Sequence, residues 1–178
     1  MALKSTQDRY GGVAIAIHWL AAVLIVTLLV TGFRVSGAAD AASKAAFLRF
    51  HAVIGIAILA LTLGRIAWWW FADKKPLPVG GQPPLLGRAG SAVHLLSYIL
   101  IIGIAASGIG MMVLSGAGPI VFGGASGVLP DFWNYPPRIP HGIGVRVLIA
   151  LLILHVSGAL YHHFIRGDRL LARMGVGR

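Results

Sequence analysis

Four apolar runs dominate this chain, at about 13–33, 47–71, 91–114 and 141–165. A helix needs roughly 20 apolar residues to cross a bilayer. Each run is too long for a core strand, and none alternates with the period of two that marks a half-buried strand. The first carries no charged residue, and the second is interrupted by His51 and Arg65. Charged residues make up 11% of the chain and mean hydropathy is +0.83, whereas a soluble domain is about 25% charged. The expectation is an all-α integral membrane protein: one domain over residues 1–178, a four-helix bundle of up-down topology. The first run exceeds the 7–15-residue core of a signal peptide, so it reads as a retained span. No internal repeat is evident by inspection.

The connections fit this reading. Residues 37–43 form a small-residue loop. Residues 73–88 hold Pro76, Pro78, Pro83 and Pro84, which stop helices. The longest connection, 116–140, carries Phe122, Phe132, Trp133 and Tyr135, aromatic residues suited to the membrane interface. Lys4, Arg9, Lys74, Lys75, Arg88, Arg166, Arg169, Arg173 and Arg178 fall on one side, and Arg34, Lys44, Arg49 and Arg138 on the other. The positive-inside rule then puts both termini in the cytoplasm. Trp68, Trp69 and Trp70 read as a cytoplasmic aromatic belt.

Basic residues outnumber acidic ones by 15 to 5. A nucleic-acid binder with that balance carries basic runs in a polar background. Here the basic residues edge apolar runs, so the expected surroundings are a lipid bilayer, with no nucleic acid. The chain has no cysteine, which excludes disulfides, zinc–thiolate sites, iron–sulfur clusters and covalent haem attachment.

Seven histidines stand out in so apolar a chain, because ionisable groups inside a membrane are costly. A single one is explained by an interhelical hydrogen bond; their positions say more. His141 and His155 are 14 residues apart, which places them on one face of a helix within about 40° and separates them by about 21 Å. His162 continues that stripe. On antiparallel neighbours, His18 lies at a depth comparable to His155 and His51 at that of His141. The expected pairs are His18 with His155 and His51 with His141. Two bis-histidine pairs at two depths suit two stacked b-type haems, each iron taking an imidazole from either face. Arg65 lies 14 residues after His51, at the level of the first pair, where it either meets a haem propionate or snorkels to the interface. Arg34, Arg49 and Arg138 are propionate candidates on the other side. Gly55, Gly103, Gly108 and Gly158 fit close helix packing, and Met111 and Met112 read as core. Arg146 has no apparent partner.

Several segments resemble the bacterial cytochrome b561 family: Arg9-Tyr10 followed by Ile17-His18-Trp19-Leu20, then Gly32-Phe33-Arg34, His51 with Gly55, and Arg65 ahead of Pro76. Val93-His94-Leu95-Leu96-Ser97-Tyr98, Gly108-Ile109-Gly110-Met111-Met112 and the spacing of His141, His155 and His162-His163 continue the likeness over nearly the whole chain. The resemblance implies a bacterial inner-membrane cytochrome with two non-covalent haem b groups ligated by His18, His51, His141 and His155. It implies an oxidoreductase passing electrons between a periplasmic-side donor, with superoxide as the donor in the superoxide oxidase type, and ubiquinone. His94 and His162, at the cytoplasmic level, are candidates for a quinone site. The far-side loops carry a balance of plus two, which can steer a small anion. A cytochrome b subunit serving a dehydrogenase or hydrogenase partner is the alternative. A histidine-lined metal transporter is a third reading, disfavoured by the lack of intramembrane carboxylates.

Overall fold

The computed structural model describes residues 2–78, 84–125, 127–168 and 170–177. Pro83, Arg169 and Arg178, used above for helix ends and orientation, lie outside the described residues. The described residues are helical and irregular, without strands. The long helices are α1 (Gly12–Ser36), α2 (Ala41–Phe71), α3 (Pro84–Leu114) and α5 (Arg138–Leu160), with the short α4 (Gly118–Phe122) between the last two. A π-helical turn, Tyr161–Ile165, extends α5, and α6 (Leu170–Arg173) is the last helix among the described residues. Four helices are thus long and apolar enough to cross a membrane.

The helices start earlier than the apolar runs, for local reasons. Asp40 caps α2 by accepting a bond from the Ser43 amide at 2.8 Å, so the helix begins at Ala41 rather than near Phe47. The α3 helix begins at Pro84 rather than Ser91, since proline is tolerated in a first turn, where no intrahelical donor is needed. The 116–140 connection contains α4 and a 3-10 turn at Phe132–Asn134, the latter capped by Asp131.

The closest packing is within two hairpins, α1 with α2 and α3 with α5, and α2 lies against α3. Ile25, Ile58 and Leu148 are buried at mid-bundle with Ile101 beside them. Side chains such as Val23, Val26, Val30 and Ile153 are exposed. This outward apolar surface belongs in lipid, where helices gain little from hydrophobic burial and pack through shape.

One end of the bundle gathers residues 2–11, residues 72–78 after α2, and α6 with the residues up to 177, and is called the terminal end here. Asp73 accepts from the Ser5 amide (3.0 Å), the Ser5 hydroxyl (2.8 Å) and Trp68 Nε1 (3.3 Å). Arg173 donates to the carbonyls of Asp8 and Leu77, and Trp19 Nε1 donates to the Met174 carbonyl. The opposite end carries the α1–α2 turn, α4 and the 3-10 turn. There Arg49 Nε donates to the Val121 carbonyl and ties α4 to α2.

Candidate functional site

The two sequence-predicted pairs meet across the bundle. At the terminal end the rings of His18 and His155 have centroids 6.0 Å apart. At the opposite end those of His51 and His141 are 6.3 Å apart. Two imidazoles on opposite sides of one metal, each bound at about 2 Å, hold their ring centres roughly 6 Å apart. Both pairs match that spacing. The His94 and His155 rings are 5.0 Å apart, closer than imidazoles on opposite sides of one metal would be.

The opposite-end pair is fixed by hydroxyls that the sequence reading did not single out. Thr31 Oγ1 donates to the Thr27 carbonyl at 2.8 Å, so it accepts from His51 Nδ1 at 3.0 Å. Ser107 Oγ likewise donates to the Ile104 carbonyl at 2.8 Å. His141 Nδ1 then donates to Ser107 Oγ and to the Ile104 carbonyl, each at 3.0 Å. Both rings carry their proton on Nδ1, and Nε2 keeps a lone pair for a metal. Glycines let the rings approach the backbone. A Cβ on Gly32 would sit 3.3 Å from His51 Cε1, and one on Gly108 would sit 3.4 Å from His141 Cε1. Around this pair lies a cavity of about 540 Å³, lined by Gly32, Gly55 and Gly108 among others. A Cβ on Gly55 would meet nothing within 4 Å, leaving room for a flat ligand beside the backbone. The cavity is mostly apolar with convergent polar groups, as cofactor sites are.

The terminal-end pair has different neighbours. Arg65 Nη1 lies 3.4 Å from His18 Nδ1, and its guanidinium sits 5.7 Å from the centre of the Tyr98 ring. Arg65 Nε is buried with no partner. A buried cationic donor of this kind suits a carboxylate, and that fits a haem propionate at the depth where Arg65 was expected. A π turn spans Tyr161–Ile165, and within it His162 is buried with its Nδ1 paired to Asp168. His163 packs edge-on against Phe164.

The other basic candidates are tied down locally. Arg34 lies in the last turn of α1, where the helix dipole favours a cation. Arg138 stacks over Trp133 at 4.4 Å, and Arg146 donates to the Gly142 carbonyl at 3.0 Å. Both guanidiniums approach Gly142 and line the cavity. The three tryptophans separate as successive helical residues must. Trp68 bonds Asp73, Trp69 Nε1 is buried, and Trp70 is 80% exposed; only Trp70 faces outward as a belt residue would.

The two hairpins repeat one another, although no repeat is evident in the sequence by inspection. Thr31 follows His18 by 13 residues and Ser107 follows His94 by 13, each followed by a glycine. Arg65 follows His51 by 14 residues, as His155 follows His141. The mid-bundle residues Ile25, Ile101, Ile58 and Leu148 each lie seven residues after a histidine of this set.

The model for the prokaryotic cytochrome b561 family matches residues 9–177. The chain belongs to that family. It is 29% identical to cytochrome b561 homolog 2 of Escherichia coli (strain K12), covering 98% of this chain and 95% of that one. It is 27% identical to the probable superoxide oxidase CybB of Yersinia pestis, with 94% and 96% covered. The same identity and coverage hold for cytochrome b562 of Cereibacter sphaeroides. No solved structure matches the chain significantly. As a cytochrome b561 family member, the protein is a multi-pass membrane b-type cytochrome that carries electrons.

Proposed function

We propose that the protein holds two haem b groups, one at His18 with His155 and one at His51 with His141, and passes electrons from superoxide to ubiquinone. The observation that carries this reading is the pair of facing imidazoles at each of two levels, 6.0 and 6.3 Å apart. Haem with both axial positions filled supplies a one-electron carrier that does not bind oxygen. The chain's own residues do the rest. Thr31, Ser107 and the Ile104 carbonyl hold the imidazole tautomers and orient Nε2 inward. The mid-bundle layer around Ile25, Ile58 and Leu148 excludes water between the two levels. Arg65 offsets the charge of a propionate. A metal-transport path is less well supported, since the described residues contain no group of three or more candidate metal ligands.

The donor and acceptor are assigned to opposite ends. Arg138 and Arg146 line the opposite-end cavity, and two cations there favour approach of an anion such as superoxide. His94, half-buried beside His155 at the terminal end, is placed to give a hydrogen bond or proton to a quinone; His162 with Asp168 is the second candidate there. The Lys/Arg bias puts the terminal end in the cytoplasm of a bacterial inner membrane, so superoxide is taken from the periplasm. The probable superoxide oxidase among the relatives supports this direction.

The test is a reduced-minus-oxidised spectrum of the purified protein with a pyridine haemochrome count, followed by exposure to enzymatically generated superoxide. Two haems per chain and reduction by superoxide alone are expected. Two haems that superoxide leaves oxidised would shift the reading to a subunit fed by a redox protein partner. Absence of haem would overturn it.

A further inference from the structure

Two buried N–H groups on α2 have no hydrogen-bond partner, Arg65 Nε and Trp69 Nε1. They are four residues apart, so they project from one helix face on adjacent turns. Almost every buried donor in a folded protein is satisfied, and one that is not calls for an explanation. The two donors do not stand in an apolar wall. Tyr98 from α3 lies under the Arg65 guanidinium, the Tyr10 ring meets the Trp69 ring edge-on with centroids 6.1 Å apart, and Lys75 Nζ is 6.0 Å from the Trp69 ring centre. Neighbouring Trp68 faces a different way, and its indole N–H is used by Asp73.

We propose that Arg65 Nε and Trp69 Nε1 form a binding site at the terminal end for an oxygen acceptor of the carbonyl or carboxylate class. The site needs donors and no acceptors. Arginine side chains and indole N–H groups only donate, and Lys75 adds positive charge nearby. A quinone ketone and a haem propionate share this chemistry. The identity of these two sources rests on the function proposed above; the existence of the site rests on the two donors.

Trp69→Phe keeps the ring and removes the N–H. Purified holoprotein of the wild type, Trp69→Phe and Trp70→Phe is compared by haem count, by potentiometric titration and by ubiquinone-1 binding. Loss of one ordinary hydrogen bond corresponds to about a tenfold change. If a quinone ketone occupies the site, Trp69→Phe weakens ubiquinone-1 binding about tenfold with haem content and potentials unchanged. If a propionate occupies it, one haem shifts in potential and dissociates about tenfold faster, with quinone binding unchanged. In either case Trp70→Phe, whose ring faces lipid, matches the wild type. A Trp69→Phe protein equal to wild type in all three measurements overturns the site. Wild-type protein with fewer than two haems would instead defeat the di-haem reading, and quinone binding would still report on Trp69.

Discussion

At the opposite end, His51 and His141 are each held through Nδ1 by uncharged oxygen atoms of the adjacent helix. At the terminal end, His18 has the Arg65 guanidinium beside its Nδ1, and His155 has His94 as a ring neighbour. The two ends are built from the same repeated hairpin, yet they are not alike. His18 and His94 occupy corresponding places on α1 and α3, while Arg65 and His155 occupy corresponding places on α2 and α5. One end therefore combines two imidazoles with two hydroxyls, and the other combines three imidazoles with a cation. The first suits a ligand that stays in place. The second adds charge and proton-carrying groups, which in the proposed function serve an exchanging quinone beside the haem held there.

The sharpest way to break this comparison is to remove one ligand from each end. His155→Ala is expected to empty the terminal end and His141→Ala the opposite end, each halving the pyridine haemochrome count. If one substitution abolishes both haems while the fold persists by circular dichroism, the two levels are not independent. Next is Gly144→Ala. Its Cβ would come within 2.8 Å of Ile104 Cγ1, forcing α3 and α5 apart. Overpacking of this kind costs about 1–3 kcal/mol, read as a lower melting temperature in detergent with the α1–α2 hairpin untouched.

A smaller effect separates the two opposite-end anchors. Thr31→Val is expected to weaken haem retention at His51 by about tenfold, a usual result of losing an outer-shell partner. Ser107→Ala should do less, because His141 keeps the Ile104 carbonyl; equal effects would show that the carbonyl contributes nothing. The smallest effect lies at the terminal end. Burial works to raise the Asp73 carboxyl, but hydrogen bonds from Ser5, Lys74 and Trp68 together hold it below the usual carboxylate range. Its contribution to tethering the N-terminus is then complete above about pH 4 and is lost as pH falls through the depressed value. Limited proteolysis from pH 5 down to pH 2 should show earlier cleavage of the N-terminal segment on acidification. In Asp73→Asn that pH dependence should disappear.

The histidine pairing was legible because a helix converts a 14-residue spacing into a shared face at a calculable depth. Span number followed equally directly from run length. Helix starts were less visible, since Asp40 and Pro84 act through backbone donors rather than through hydropathy. The π turn at Tyr161–Ile165 and the pairing of His162 with Asp168 have no signature in residue type. Thr31 and Ser107 look like ordinary small polar residues in apolar runs. Their shared 13-residue distance from His18 and His94 was the available signal, and it gains meaning only when the two hairpins are compared.

The apolar layer seven residues beyond each histidine has an electrical consequence. The histidine levels are about 21 Å apart along the helix, a large part of a hydrocarbon core about 30 Å thick. Negative charge passing from one level to the other works against or with the membrane voltage, by up to about 2.3 kcal/mol per 100 mV for a full crossing. The apolar layer around Ile25, Ile58 and Leu148 is a poor path for protons, so a charge moved between the levels is not matched by a proton crossing that layer. Under the proposed function, the protein in a sealed vesicle acts as a small current source, with a turnover that an ionophore can change without touching a single residue.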